Sequence, residues 1–514
     1  MFSGRIGTET KVAVVDVGYN SLKMVKYRVE EDGFAKSYGQ LGVMAKLGEN
    51  LEHTGYLGEE PMARTIGAIG LCRETASLES IKHVLLVGTS PVREAANKEE
   101  FVRRVKEETG FAMRVLSGNE EALYGFLGGA KSIGSPFALF FDLGGGSLQL
   151  TYSERFKIRR ILSFPLGGLR LSSVYAGKQG RYSRKDRDKM NRLITGSLPS
   201  RREFGLSRST VLVGTGGTVR AMARYHQDHV EYPFNKVHNY VIDYESVQQM
   251  SREFFRLDRD ELGRLDVIGE GRSETIAAGA FVVRLLMKRL GFEHLTVSTH
   301  GLRDGILAEF LQQGSREVES IALKGDIESL VVGPVQPPAV TGSTAFFDCL
   351  VKNGVFTERE REILAAALER GRTEESFEAD ANSLFWILMN EDLPMNHQDQ
   401  LFMAVSLVKA RRPRAASWLV GRFGDILLRD DLKALKKMAT CLRLLEILDR
   451  SSSRYKVSFS GGVRIAVSDS AGPFPMELAT AAADAFSLSI RKPVMIALKS
   501  STGKRDEESV AVKG

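Results

Sequence analysis

A carboxylate that ends an apolar strand and runs directly into a row of glycines stands at 140–150, FFDLGGGSLQL. Gly144, Gly145 and Gly146 carry no Cβ, so their backbone N–H groups can converge on an anion. Asp142 sits at the strand end, where a hydrated cation could be held against that anion. Residues 14–24, VVDVGYNSLKM, repeat the pattern, with Asp16, Gly18, Ser21 and Leu22 matching Asp142, Gly144, Ser147 and Leu148 without a gap. One glycine-rich turn is a common structural device. Two in register imply an internal repeat, in which two similar half-domains face each other across a cleft and offer a strand-turn-strand to the same ligand.

Other candidates lie at strand-to-helix junctions. In TSPVREAAN, Ser90 reads as an N-cap and Pro91 as the first helical residue, which puts Arg93 in a first turn suited to anions; a surface pair of Arg93 with Glu94 is the alternative. SGNEEA opens a helix near 120–129, and its adjacent Glu120 and Glu121 point in different directions, so at most one faces a given cleft. VGTGGT at 213–218 lies in a strand, glycine turn and helix over 211–225, and 295–311 repeats that logic with Arg303 at the helix start. Open α/β sheets bind ligands at such strand ends.

The elements that must position these groups are a hairpin at 11–29, a helix at 60–78, strands at 83–88 and 113–116, and the 140–150 hairpin. A basic segment at 155–202 reads as solvated charge. The proline-rich stretch 330–343 reads as a linker. Helical periodicity follows at 358–369, 382–389, 398–410 and 430–448, then a strand-strand-helix-strand unit at 455–498 and a polar tail. A chain of 514 residues exceeds one core. The division expected is 1–128 and 129–320 as half-domains, 321–343 as linker, 344–450 as a helical domain, 451–500 as a small α+β unit and 501–514 as tail. No apolar h-region opens the chain and no long apolar run follows, so a cytoplasmic protein without a membrane partner is expected. Cys72, Cys349 and Cys441 read as reduced structural thiols. The formal charge of +7 mildly favours an anionic partner.

The stretches VVDVGYNS, VGTSPVREAAN, LSGNEEA, FFDLGGGS, VGTGGT and STHGLRDG occur in the order and spacing of the Ppx/GppA family, the exopolyphosphatases and guanosine pentaphosphate phosphatases, which the chain resembles. The helical region, particularly MNEDLPMNHQDQLFMAVSLVKARRP, also resembles that family's third domain, extending the likeness over most of the chain. The resemblance implies an α/β fold of two actin-like, ribonuclease H-like half-domains facing across a cleft, followed by a helical HD-like domain and the small C-terminal unit. It implies hydrolysis of a terminal phosphoanhydride in inorganic polyphosphate or guanosine pentaphosphate (pppGpp), with Mg²⁺ as cofactor. DNA is not an expected partner, and a homodimer is compatible with it. Carried onto matching positions, Glu121 would be the general base, Asp142 would hold Mg²⁺ and Asp16 would help position it. Gly18, Asn20, Ser21, Arg93 and Gly144 to Ser147 would cradle phosphates, with Gly214, Thr215, Gly216, Gly217 and Thr218 lining the other side. Phosphoryl transfer is mostly positioning and charge neutralisation, which such a set supplies.

The chain departs from the family pattern in three places. DLGGGSLQ replaces DxGGGSTE, so Leu148 and Gln149 stand for a Thr and an expected acid. Tyr19 stands where Ser is usual and adds bulk at the cleft edge. His397 is the one histidine after His300, which excludes a third-domain metal site built on several histidines. A polyphosphate substrate would need a basic track, for which 409–414 with Lys433, Lys436 and Lys437 is the candidate; an exposed basic helix face is the plainer reading. The neutral Gln149 also leaves open a catalytically weak binding regulator.

Overall fold

The computed structural model describes residues 10–30, 35–313, 343–373, 376, 378–450, 454–468 and 474–499. The chain forms two compact units, Met1–Pro334 and Val335–Gly514. The linker read at 321–343 falls outside the described residues except for Ser343, and so does the 501–514 tail.

The first unit is built on two mixed sheets. Strands β1 (Thr10–Val17), β2 (Leu22–Val29), β3 (Ala35–Val43), β4 (His83–Gly88) and β5 (Met113–Val115) lie in the order β3-β2-β1-β4-β5. β6 (Phe137–Leu143), β7 (Leu148–Glu154), β8 (Lys157–Phe164), β9 (Val211–Thr215), β10 (Val241–Asp243) and β11 (His294–Val297) lie in the order β10-β11-β9-β6-β7-β8. With the edge strand β10 set aside, the second order is the first one repeated. In each sheet the first two connections are antiparallel hairpins and the next two pairings, through the central strand, are parallel; the added edge strand β10 pairs with β11 antiparallel.

Burial explains why the central strands read as continuous apolar runs. Val12 and Val14 face one layer, with Tyr27, Leu302, Ile306 and Phe310. Ala13, Val15 and Val17 face the other, against Met62, Ile66 and Ile69 of the Glu59–Leu78 helix. A sheet covered on both sides loses the polar alternation of a half-exposed one. β6 behaves alike: Leu139, Phe141 and Leu143 join one core, and Ala138 and Phe140 pack with Leu123 and Phe126 of the Gly118–Ile133 helix.

The halves interlock rather than following one another. The 128/129 division falls inside the Gly118–Ile133 helix. The Leu302–Gln313 helix, placed by sequence in the second half, returns to cover the first sheet. Lack of a Cβ permits this crossing: one added at Gly128 would lie 2.0 Å from the Gly301 carbonyl oxygen.

In the second unit, helices Ser343–Lys352, Glu358–Gly371, Ala381–Asn390, His397–Arg411, Pro413–Phe423 and Arg429–Arg450 precede strands β12 (Arg454–Phe459) and β13 (Val463–Ser468), the Met476–Ile490 helix and β14 (Val494–Lys499). Part of the candidate basic track is used inside this unit. Arg411 ion-pairs with Glu446 and donates to the Gly371 and Ser376 carbonyls, Lys437 bonds Glu360 and the Val355 carbonyl, and Lys433 pairs with Asp430. His397 is buried at the start of its helix. Cys72, Cys349 and Cys441 are free thiols. No helix among the described residues is long and apolar enough to cross a membrane.

Candidate active site

The repeated hairpins make the same turn. Gly18 N–H donates to the Ser21 carbonyl at 3.1 Å, and Gly144 N–H to that of Ser147 at 3.0 Å. These two glycines therefore close their turns rather than reach for an anion. At the second turn the Gly144 carbonyl accepts from Gly168 N–H, and the Gly145 carbonyl accepts from Leu169 and Arg170, so the carbonyls are held away by the start of the Gly168–Tyr175 helix. The Gly146 position admits no side chain, because an added Cβ would lie 2.4 Å from Ser90 Oγ and 2.5 Å from the Tyr19 ring. Tyr19 is thus a packing wedge between the two turns, with its hydroxyl donating to Glu52 at 3.0 Å.

Between the turns lies a cleft of about 430 Å³. Of the expected groups, Asp16, Gly18, Asn20, Ser21, Glu121, Asp142, Gly144 to Ser147 and Thr215 to Thr218 all line it. Gly214 does not; it lies one residue deeper in β9 against Phe141, where a Cβ would approach the ring to 2.5 Å. Gly216 adopts φ +102°, and a Cβ there would meet the Leu143 carbonyl oxygen at 2.5 Å, so glycine is required for both space and conformation. It leads into the Gly217–His229 helix, whose first turn faces the cleft and presents free N–H groups and the positive end of its dipole.

Arg93 is placed differently from the expectation. The Ser90–Glu94 helix is only five residues long, its N-cap is Thr89, and no side chain caps it. Arg93 stands behind the cleft and lines an adjoining hollow with Ser117, Asn119, Ser147 and Arg170. Its guanidinium donates to the Leu116 carbonyl at 2.7 Å and to Glu121 Oε2 at 3.1 Å, while Glu94 lies at 3.9 Å. Its resolved partner is therefore the candidate base.

A capping box, Ser117 with Glu120, starts the Gly118–Ile133 helix. It consumes Glu120, which also pairs with Arg114 at 2.7 Å, and turns Glu121 alone into the cleft. Burial raises the Glu121 carboxyl to about 8, with Arg93 opposing the rise and Asp142 adding to it. Asp142 is raised to about 6 by burial and then by Asp16. Asp16 is raised by burial against the pull of Arg303, whose guanidinium stands 3.8 Å away. Gln149 faces Asp142 across the β6–β7 pair, is buried, and donates through Nε2 to Ser147 Oγ at 2.7 Å. Its Oε1 has no hydrogen-bond partner. Two part-buried carboxylates, Asp142 pushed up further by Asp16, beside an orphaned amide oxygen form a donor set that fits a hard divalent cation.

Sequence reasoning missed the cationic wall. Lys23, Arg220, Arg272 and Arg303 all line the cleft. Burial pushes the Lys23 ammonium down to about 7 and the Arg220 guanidinium to about 10, and in both cases the neighbouring arginines push further. Lys23 lies two residues past the first turn and Arg220 two past the third, at points where a returning strand or a helix's first turn re-enters the cleft. Only Arg303 was legible, as a helix start. Across the cleft Lys46 pairs with Glu274 at 3.0 Å, and Arg170 binds both Glu52 and Glu94, which ties the halves together.

The Ppx/GppA phosphatase family model matches residues 28–313. The chain belongs to this family. Its members are phosphoanhydride hydrolases, and the matched stretch holds the second turn, Glu121 and most of the cationic wall, while the helical unit lies beyond it. Exopolyphosphatase 2 of Mycobacterium tuberculosis is 27% identical over 315 residues, covering 58% of this chain and 97% of that protein. A bifunctional 3-dehydroquinate synthase/phosphatase of Fusobacterium nucleatum is 25% identical over 309 residues, which is 58% of this chain but 46% of the relative. A guanosine-5'-triphosphate,3'-diphosphate pyrophosphatase of Vibrio vulnificus is 23% identical over 64% of this chain and 63% of its own length. The chain thus spans about half to two thirds of two of these relatives. The crystal structure of an exopolyphosphatase from Cytophaga hutchinsonii shares the fold, with a TM-score of 0.55 and 23% identity over 59% of this chain and 98% of that one. These matches cover somewhat more than half of the chain, less than the likeness read from the sequence.

Proposed function

We propose that this Ppx/GppA-family protein is an exopolyphosphatase that releases orthophosphate from the end of inorganic polyphosphate by metal-assisted attack of water. The observation carrying this reading is the buried Glu121 carboxyl turned into a cleft that also holds Asp16, Asp142 and four cationic side chains beside the Gly144–Ser147 turn. Water attacks the terminal phosphorus, the bridging P–O bond breaks, and the shortened chain leaves as phosphate oxyanion. Glu121 accepts the proton of the attacking water. Lys23, Arg220, Arg272 and Arg303 offset charge on the nonbridging oxygens, and the amides of Gly145, Gly146 and Ser147 orient them. Asp142 and Asp16, with Gln149 Oε1 as a neutral oxygen, would hold Mg²⁺, which supplies further charge neutralisation when bound. Cytoplasmic polyphosphate is the expected substrate pool.

A second reading is favoured by Gln149, a neutral amide where the family pattern has an acid: a protein that binds polyphosphate or pppGpp and turns it over slowly. The test is phosphate release from polyphosphate, pppGpp and ATP, each with and without Mg²⁺. Mg²⁺-dependent release that is fastest on polyphosphate is expected. Release confined to pppGpp would move the substrate assignment, and binding of either without release would replace the enzyme by the regulator.

A further inference from the structure

A second cationic hollow of about 300 Å³ lies away from the cleft, lined by Arg184, Arg187, Asp188, Asn191, Arg252, Phe255, Arg256, Phe281 and Arg284. Its residues come from one face each of three helical stretches. Positions 184, 187, 188 and 191 lie on the Arg184–Ser197 helix, 252, 255 and 256 close the Tyr244–Phe254 helix, and 281 and 284 lie on the Ile276–Leu290 helix. Position 184 stands three, four and seven residues from 187, 188 and 191, 252 stands three and four from 255 and 256, and 281 stands three from 284, so each set projects to one side. The sequence reads Arg184 and Arg187 as solvated charge, yet packing brings them together with three more arginines.

Five guanidiniums converge here on one carboxylate, and among the described residues none of the five forms an ion pair. Two are partly sunk into the protein by aromatic rings: Arg284 lies 4.7 Å from the Phe281 ring centroid and Arg187 lies 5.7 Å from that of Phe255. Stacking fixes the guanidinium planes and leaves their edges for acceptors. The Nε atoms of both Arg187 and Arg284 are buried with no hydrogen-bond partner. A buried donor without an acceptor is costly, as is crowding of like charge. Burial, and then Arg252, depress the Arg284 guanidinium, with Tyr244 opposing. An anion with several oxygens would satisfy the orphaned donors and offset the crowded charge together.

We propose that this hollow is an accessory binding site for a condensed phosphate, a chain of linked phosphoryl groups, separate from the catalytic cleft. A condensed phosphate fits better than a single phosphate because the guanidiniums come from three elements and no single tetrahedral anion offers oxygens to all of them. The site does not depend on the cleft being catalytic.

The test is calorimetric titration of the full-length protein with inorganic tripolyphosphate, in EDTA so that metal-assisted turnover is suppressed. The wild type is compared with Arg252→Ser/Arg256→Ser, two exposed positions whose replacement leaves the fold intact, and with Arg187→Gln. Both variants are expected to bind one tripolyphosphate fewer than wild type, or to bind it at least roughly ten-fold more weakly. That difference appears whether or not the cleft itself binds, so failure of the cleft reading is told apart from failure of this one. Initial phosphate release at saturating substrate should change less than about two-fold in the Arg252→Ser/Arg256→Ser protein. Equal stoichiometry and affinity in wild type and both variants would overturn the site. Orthophosphate competing as well as tripolyphosphate would overturn its selectivity for linked phosphates. Guanosine triphosphate binding more tightly than tripolyphosphate would assign the condensed phosphate to nucleotides, and equal or weaker binding would assign it to inorganic chains; both keep the site.

Discussion

At the residue scale the proposed chemistry rests on Glu121 and its neighbours. Replacing the carboxylate by an amide of the same size removes the proton acceptor and leaves the cleft's shape, so Glu121→Gln should lower phosphate release by roughly a hundred-fold or more while substrate affinity changes little. Single-turnover rates beside equilibrium binding check this, and near wild-type release would refute the assignment. Arg93 acts on the same group from behind. Its charge opposes the burial that raises Glu121, so Arg93→Ala should carry the Glu121 carboxyl higher. The base works deprotonated, and the rising limb of the pH–rate profile should therefore move to higher pH, with a loss of roughly ten-fold in rate near neutrality. An unmoved limb would show that the pair does not tune the base. Gln149→Glu restores an acid opposite Asp142. If a neutral ligand suffices, because a hard cation that keeps several waters needs only one or two protein acids, the wild type is already active and the variant gains less than about three-fold. A much larger Mg²⁺-dependent gain would favour the slow regulator.

The elements set how closely these residues approach one another. Gly146 sits where Ser90 and Tyr19 leave no room for a methyl group, and its turn carries the amides assigned to the phosphates. Gly146→Ala should therefore destabilise the fold by about 1–3 kcal/mol, as overpacking does, and also lower affinity for substrate. Chemical denaturation with a parallel binding measurement separates the two effects. Full stability combined with full affinity would mean that the turn yields more easily than its packing implies. Tyr19, whose bulk at the cleft edge looked like an intrusion in sequence, instead braces the two turns against each other.

On the scale of the whole molecule, the cleft joins two copies of one sheet and pools their charges. Burial and neighbouring arginines hold Lys23 near pH 7, below its ordinary value, so above neutrality it is largely uncharged. A polyanion entering the cleft favours the charged form and pulls that value up. Between the two values a proton is taken up on binding. Tripolyphosphate binding in EDTA at about pH 8 should thus absorb protons, seen as a binding heat that varies with the ionisation enthalpy of the buffer, and Lys23→Met should reduce the effect. Proton release, or no dependence on the buffer, would contradict the cationic wall's role.

The sequence by itself determined the repeat, since Asp16–Gly18 and Asp142–Gly144 match without a gap and the structure closes the two turns with the same hydrogen bond. It also determined that at most one of the adjacent Glu120 and Glu121 faces a cleft; the choice of Glu121 came from the family resemblance, and the structure supplies its reason, since the Ser117 capping box holds Glu120. The tertiary structure decided what local pattern does not encode. A one-residue step along β9 turns Gly214 into the core while Thr215 reaches the cleft. The Leu302–Gln313 helix crosses back to the first sheet. Arg93 meets Glu121 through a contact 28 positions away in the chain, and Lys23, Arg220 and Arg272 meet only because two half-domains close on one another. Spacing along a chain fixes which face of a helix or strand a side chain occupies, but which faces are opposed is set by how the sheets and helices pack.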